Sequence, residues 1–258
     1  MKSPTGASSG ERSPGQRNEM RVVATSVMQE IERLVEALAQ SVGRRAPRVV
    51  QVGARTSVSD RNERNWRGLI GKRFGGRAHF VGIDLAEGPN VDKVLDICAS
   101  MQTLKGALGE EPFDLAICCH VLEHTRAPLR AARSIENLLR PGGLAYVATP
   151  WSQAFHAAPD DYWRFSMRGL GLLFRRLDIV SSFYSGGDVG LDVAYRVERD
   201  GAPELEARAG AVEQGLFQIV LDHEDNRDVL SRQATERLPV SRTYLPTLFV
   251  NIVGRRQG

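Results

Sequence analysis

Apolar residues at Val27, Met28, Ile31, Leu34, Val35, Leu38 and Val42 recur every three or four positions and predict one amphipathic helix of about six turns, closed by Gly43. Beyond Pro47 the period changes. Short runs rich in Val, Ile and Leu alternate with helical stripes. Strands are predicted over Arg48–Val52, His79–Asp84, Lys93–Asp96, Phe113–Cys118, Leu144–Thr149, Asp178–Phe183 and Leu248–Val253. Helices are predicted over Trp66–Phe74, Pro128–Leu139 and Met167–Arg175, and two polar-rich ones over Pro203–Ile219 and Glu224–Arg232. Proline is tolerated in the first turn at Pro128, and Arg140-Pro141-Gly142-Gly143 stops the same helix. Strands that are apolar on both faces and alternate with helices imply a doubly wound α/β fold, a mostly parallel sheet with helices on both sides.

The organisation follows. Residues 1–20 are rich in Ser, Gly, Pro and Arg and read as a tail, residues 21–43 as an accessory helix, and residues 44–258 as the main domain. Residues 185–245 form a variable, helical insert before the last strand. No run of 18 apolar residues exists, so no membrane span is expected, and the N-terminus lacks the apolar stretch of a secretory signal.

Charge changes the picture once it is divided. The chain of 258 residues carries a formal net charge of +3. Lys2, Arg12, Arg17 and Arg21 against Glu11 and Glu19, with Arg255 and Arg256 at the other end, hold more than all of it. The body between is close to neutral, and its composition does not show the clustered basic face that nucleic acid needs. The three cysteines, Cys98, Cys118 and Cys119, are odd in number, and the adjacent pair points to opposite faces of a strand. They form no disulfide framework or shared metal site and suit a reducing compartment, so a cytoplasmic location is expected. His223, among Asp222, Glu224 and Asp225, reads as a solvated polar face, and no metal is expected.

In an open α/β sheet, ligands sit beyond the carboxyl ends of the strands, where strand order reverses. The residues there are Gly53-Ala54-Arg55-Thr56-Ser57, Asp84-Leu85, Asp96-Ile97, Cys119 to His124, and Pro150-Trp151. Gly53 alone reads equally well as a turn glycine, and Asp84 or Asp96 as helix caps. Together, in order at successive strand ends, they suit a nucleoside. Asp84 can hold both ribose hydroxyls and Asp96 can accept from a purine amine. A pyrophosphate is disfavoured, because no G-x-G-x-x-G is present.

These residues carry a resemblance. From Val49 to about Phe174 the chain resembles class I S-adenosylmethionine-dependent methyltransferases of the "type 11" kind. The specific stretches are FDLAICCHVLEHTRAPLRAARSIENLLRPGGLAYVATP and HAAPDDYWRFSMRGLGLLF, the latter similar to one branch with a D-Y-W-R-F segment. The resemblance implies a Rossmann-like seven-stranded sheet with an antiparallel last strand and S-adenosyl-L-methionine as cofactor. It places Gly53 beneath the methionine part, Asp84 on the ribose, Leu85 against adenine, Asp96 and Ile97 at the adenine edge, and His120 and Val121 along the cofactor. Glu123 and His124 would start or support the next helix. The family's glycine-rich first loop is reduced here to Gly53, and Arg55 can bind the methionine carboxylate instead.

Methyl transfer to a hydroxyl or protonated amine needs a general base, for which His156 and His120 are the candidates. Tyr162, Trp163 and Arg164 offer an aromatic wall and a cation to an acceptor, against a plainer reading in which Phe165 is core and Asp161 caps a helix. Nucleic-acid amino-methylating enzymes of this fold carry Asn or Asp followed by Pro-Pro and an aromatic after the fourth strand, where this chain has Cys118-Cys119-His120. The expected activity is therefore methylation of a small molecule, such as a sugar, a lipid-linked precursor or a secondary metabolite. The rival is a non-catalytic, partner-binding member of the same fold.

Overall fold

Along the central strands, alternate side chains enter two separate cores, and this divides the molecule into layers. The computed structural model describes residues 14–55, 66–153, 155–156, 160–188, 191–196, 204–207 and 248–258. In chain order the elements are α1 (Pro14–Val42), β1 (Arg48–Val52), α2 (Trp66–Phe74), β2 (His79–Asp84), β3 (Lys93–Val94), α3 (Met101–Leu108), β4 (Phe113–Cys119), α4 (Pro128–Leu138), β5 (Leu139–Ser152), α5 (Met167–Leu173), β6 (Leu177–Asp188), β7 (Leu191–Arg196), β8 (Glu204–Ala207) and β9 (Leu248–Arg256). The strands form one sheet in the order β3-β2-β1-β4-β5-β9-β6-β7-β8. β1 to β5 pair in parallel, and β9 runs antiparallel between β5 and β6. The seven strands expected from the sequence are the body of this sheet, and β7 and β8 extend its edge.

Val49, Leu115, Ile117, Leu144 and Tyr146 point to the face covered by α1 and α2, where they meet Ile31, Leu34, Leu38, Trp66 and Ile70. Val50, Val52, Ala116, Cys118, Ala145 and Val147 point to the other face, against Leu104, Leu108, Ala131, Ile135, Leu138 and Leu170 of α3, α4 and α5. A strand buried on both faces has no room for alternation with polar residues, which is why these segments read as continuous apolar runs.

Several sequence expectations change, among them the helical insert from residue 185, where β6 runs on to Asp188 and Leu191–Arg196 pair with it as β7, and the fifth strand, which begins at Leu139. The first helix begins at Pro14, inside the segment assigned to the tail, because proline suits the first turn and Gln16 to Met20 carry good helix formers. Helix α3 was not anticipated. Ser100 caps it by accepting the Thr103 N–H at 3.1 Å, and Leu104 and Leu108 bury one face. The third strand ends at Val94, two residues early. The expected helix from Pro203 gives way at Glu204–Ala207 to strand β8, paired with β7 from Val193↔Ala207 to Arg196↔Glu204. Its Glu-Leu-Glu-Ala pattern has strand period, and cross-strand pairing overrides the helical propensity of those residues. Positions 208–219 and Glu224–Arg232 lie outside the described residues, as does His223.

At the amino end of β4, opposite the carboxyl edge, Asp114 is 1% exposed. It accepts from both terminal nitrogens of Arg45, from the Arg48 N–H at 2.8 Å and from Arg140. One carboxylate thus ties the segment after α1, the start of β1 and the start of β5 to β4. Burial alone would raise its pKa, but these donors outweigh that and lower it.

Asp114→Asn is expected to destabilise the fold by roughly 3 kcal/mol, the scale for breaking a buried pair. Because the folded-state pKa is depressed, the carboxylate's contribution is complete above about pH 4 and fades as pH falls through the folded value. Thermal melts at pH 7 and pH 3 should therefore show a large gap between wild type and variant that narrows in acid.

Candidate active site

Strand order reverses between β1 and β4, so the helices that follow them cover opposite faces and leave a crevice between their carboxyl ends. Val52 is level with Ile83 on one side and Cys118 on the other, which brings Gly53, Asp84 and Cys119 to the same height on that edge.

Gly53 takes φ +72°, and its N–H donates to the Ile83 carbonyl at 2.9 Å. A Cβ there would stand 2.3 Å from Val121 Cγ2, so the first loop and the loop after β4 touch through the missing side chain. The Asp84 carboxylate is held from below by the Arg55 N–H at 3.1 Å and the Ala86 N–H at 3.4 Å. Beside it Leu85 is 61% exposed. The stem of Arg55 lies across Gly88, in the loop after β2. Asp96 uses one oxygen to accept the Cys98 N–H at 2.8 Å, a turn-capping role. Ile97 is 5% exposed and belongs to the core, which leaves its backbone rather than its side chain for a ligand.

The second half of the rim is made by the loops after β4 and β5. His120 has φ +55°, a strained conformation for a residue with a side chain. Its N–H bonds the Ala148 carbonyl at 2.9 Å, and its ring meets the Phe249 ring edge-on at 4.7 Å. Glu123, in the helical turn Leu122–His124, is fully buried. Its carbonyl accepts the Tyr162 and Trp163 N–H groups at 2.8 and 3.3 Å, and Oε2 accepts the Thr149 hydroxyl at 3.1 Å. Oε1 has no hydrogen-bond partner among the described residues. Burial raises the Glu123 pKa, with its own backbone, His124 and Thr149 pulling the other way.

His124 bonds the Asp160 carbonyl through Nδ1 and stacks edge-on with the His156 ring at 4.9 Å. His156 Nδ1 lies 3.2 Å from Asp161 Oδ2, and Asp161 also accepts the His156 N–H at 2.9 Å. Arg164 grips the same carboxylate with both terminal nitrogens. This fork drives the Asp161 pKa far below the usual carboxylate range, and burial only partly opposes it. Arg164 is thus engaged inside the loop. Asp161 forms this brace and Ser166 caps α5, which corrects the reading of Asp161 as a helix cap. Phe165 is core, as its chemistry suggested.

A family model described as a methyltransferase domain matches residues 28–187. The chain belongs to that family. The resemblance to class I S-adenosylmethionine-dependent methyltransferases is thereby borne out, together with the fold. Among solved structures, the selenomethionine-substituted CurJ carbon methyltransferase aligns with a TM-score of 0.51 at 14% identity, covering 92% of this chain and 55% of that one. The 1,6-didemethyltoxoflavin-N1-methyltransferase of Burkholderia thailandensis, with bound 1,6-didemethyltoxoflavin and S-adenosylhomocysteine, has a TM-score of 0.44 at 14% identity, covering 98% and 94%. A methyltransferase of Archaeoglobus fulgidus has 0.45 at 13%, covering 88% and 94%. No curated protein matches.

In this methyltransferase domain Tyr162 and Trp163 are 38% and 42% exposed. Trp163 donates from its indole to the Thr125 carbonyl at 2.9 Å, and the Tyr162 hydroxyl accepts from Arg126 at 2.8 Å. Trp163 also lines a surface groove of about 640 Å³ with Arg126, Leu129, Arg130 and Arg133. No helix among the described residues is long and apolar enough to cross a membrane. The grouping of Glu123, His124 and His156 went unread in the sequence. The adjacent Glu-His was visible, but His156 lies 32 positions from His124 and meets it only because the two loops dock.

Gly53→Ala is expected to cost about 2 kcal/mol or more, from left-handed strain plus overpacking on Val121. Adding Val121→Ala should recover the packing part and leave the strain, which urea unfolding of the single and double variants can read.

Proposed function

We propose that this chain transfers a methyl group from S-adenosyl-L-methionine to a small-molecule acceptor. The observation that carries the reading is Asp84, a carboxylate fixed by two backbone N–H groups at the end of β2, one strand from the switch point, beside an exposed Leu85 and level with Gly53. This arrangement fits a nucleoside, since the carboxylate keeps acceptor capacity for two ribose hydroxyls while Leu85 offers an apolar face to adenine. Asp96 and the Ile97 backbone serve the adenine edge, Gly53 the methionine part, and His120 and Val121 the wall after β4. Arg55, whose stem lies across Gly88, serves the methionine carboxylate with its guanidinium.

When bound, the cofactor would supply an electrophilic methyl carbon on a sulfonium whose sulfur departs as a neutral thioether. The protein's part is alignment and proton removal. His156 is the base in this reading. The permanently ionised Asp161 holds its Nδ1 hydrogen and stabilises the imidazolium formed when Nε2 takes the acceptor's proton. His120 is the second candidate. Tyr162 and Trp163 present aromatic surface to the acceptor. Arg164 acts through Asp161 and positions His156. The arginines beside Trp163 suit an acceptor with an anionic group and an apolar part. A nearly neutral body supports a small molecule over nucleic acid. The glycine-poor first loop favours the rival, a binding protein of this fold without catalysis.

Titration calorimetry with S-adenosyl-L-methionine or its demethylated product separates the two, with absence of binding at millimolar ligand overturning the enzyme. Asp84→Ala is expected to weaken cofactor binding by about 1–3 kcal/mol, roughly 5- to 150-fold. His156→Ala is expected to lower kcat by about 10²–10⁴ with cofactor affinity unchanged. Labelled-methyl transfer into metabolite extracts, with mass identification of the product, would name the acceptor.

A further inference from the structure

Fully buried carboxylate oxygens are nearly always satisfied, yet Glu123 Oε1 has no hydrogen-bond partner among the described residues. Around it stand imidazole nitrogens at distances too long for hydrogen bonds: His124 Nε2 at 3.8 Å and His120 Nδ1 at 3.7 Å. Ligand atoms of Glu123, His124 and His156 all lie within 4.8 Å of one another. The far sides of the two rings are already fixed, His124 Nδ1 on the Asp160 carbonyl and His156 Nδ1 on the Asp161 carboxylate. An imidazole whose Nδ1 hydrogen is given to an oxygen presents Nε2 as a lone-pair donor, the arrangement that orients histidine toward metals.

We propose that Glu123, His124 and His156 bind one divalent transition-metal cation, of the zinc type. Two neutral imidazoles and one carboxylate form a borderline nitrogen–oxygen set that suits zinc and its neighbours and is poor for magnesium or calcium. Tetrahedral ligands about 2.1 Å from zinc stand about 3.4 Å apart, so the 3.8 Å gap between Glu123 and His124 needs a small contraction only. The cation supplies the positive partner that Oε1 lacks. With three protein ligands a fourth position stays open, and a cation on His156 engages the lone pair that would otherwise take the acceptor's proton.

The test uses the full untagged chain, freed of metal by chelation and dialysis, with zinc chloride as the probe and no S-adenosyl-L-methionine present. Its outcome is therefore independent of whether methyl transfer occurs. Calorimetry and elemental analysis are expected to find one zinc per chain with micromolar or tighter affinity. Glu123→Gln and His124→Ala should each weaken it at least tenfold. His156 is about one-third exposed at its side chain, so His156→Ala keeps the fold and must weaken binding by a similar factor. Asp84→Ala must leave it unchanged. A zinc content below one-tenth per chain, or affinity equal to wild type in His156→Ala, overturns the site.

Discussion

The reversal of strand order between β1 and β4 is the constraint on which the remaining architecture depends. Parallel strands cannot be joined by hairpins, so each is followed by a helix that must return over one face. With α2 leaving β1 on one side and α4 leaving β4 on the other, no helix among the described residues packs in the gap between their carboxyl ends. The crevice is thus a result of chain connectivity, and it exists before any side chain is chosen. Sequence then decides what lines it: a glycine where two loops must touch, an acid at the end of β2, and a buried glutamate under the loops after β4 and β5.

Glu123 couples the two halves of that rim. Its carbonyl holds the backbone of Tyr162 and Trp163, its Oε2 holds Thr149 on β5, and its Oε1 faces His120 and His124 of its own loop. The loop after β5 is braced from within by Arg164 on Asp161. Residues that the sequence offered as acceptor contacts therefore divide by exposure. Tyr162 and Trp163 keep surface for a ligand, whereas Arg164 spends its fork on a neighbour three residues away.

The strands were legible because burial on both faces forces apolar runs, and β1 and β2 match their predicted ends. The helix α4 was legible through Pro128 and the following Arg-Pro-Gly-Gly. Helix α3 escaped because eight residues hold barely two apolar periods, and its Ser100 cap carries most of the signal. Strand β8 escaped because Glu-Leu-Glu-Ala favours helix locally and is held by pairing with β7. At the site, Gly53 and Asp84 could be placed from strand ends alone, whereas Asp96 lies two residues beyond the end of β3. The burial of Ile97, the engagement of Arg164 and the approach of His156 to His124 depend on how loops dock, which spacing does not encode.

Asp114 gathers Arg45, Arg48 and Arg140 at the amino end of the sheet, the whole length of β4 away from the crevice. The anchor that ties the segment after α1 to β1, β4 and β5 is thus separated from the loops that meet ligands. A chain organised in this way can exchange or lengthen its rim loops without touching its fastening. It is a suitable recipient for acceptor loops grafted from other members of the fold, and a starting point from which selection for new acceptors would draw on tolerance already built in at the opposite end.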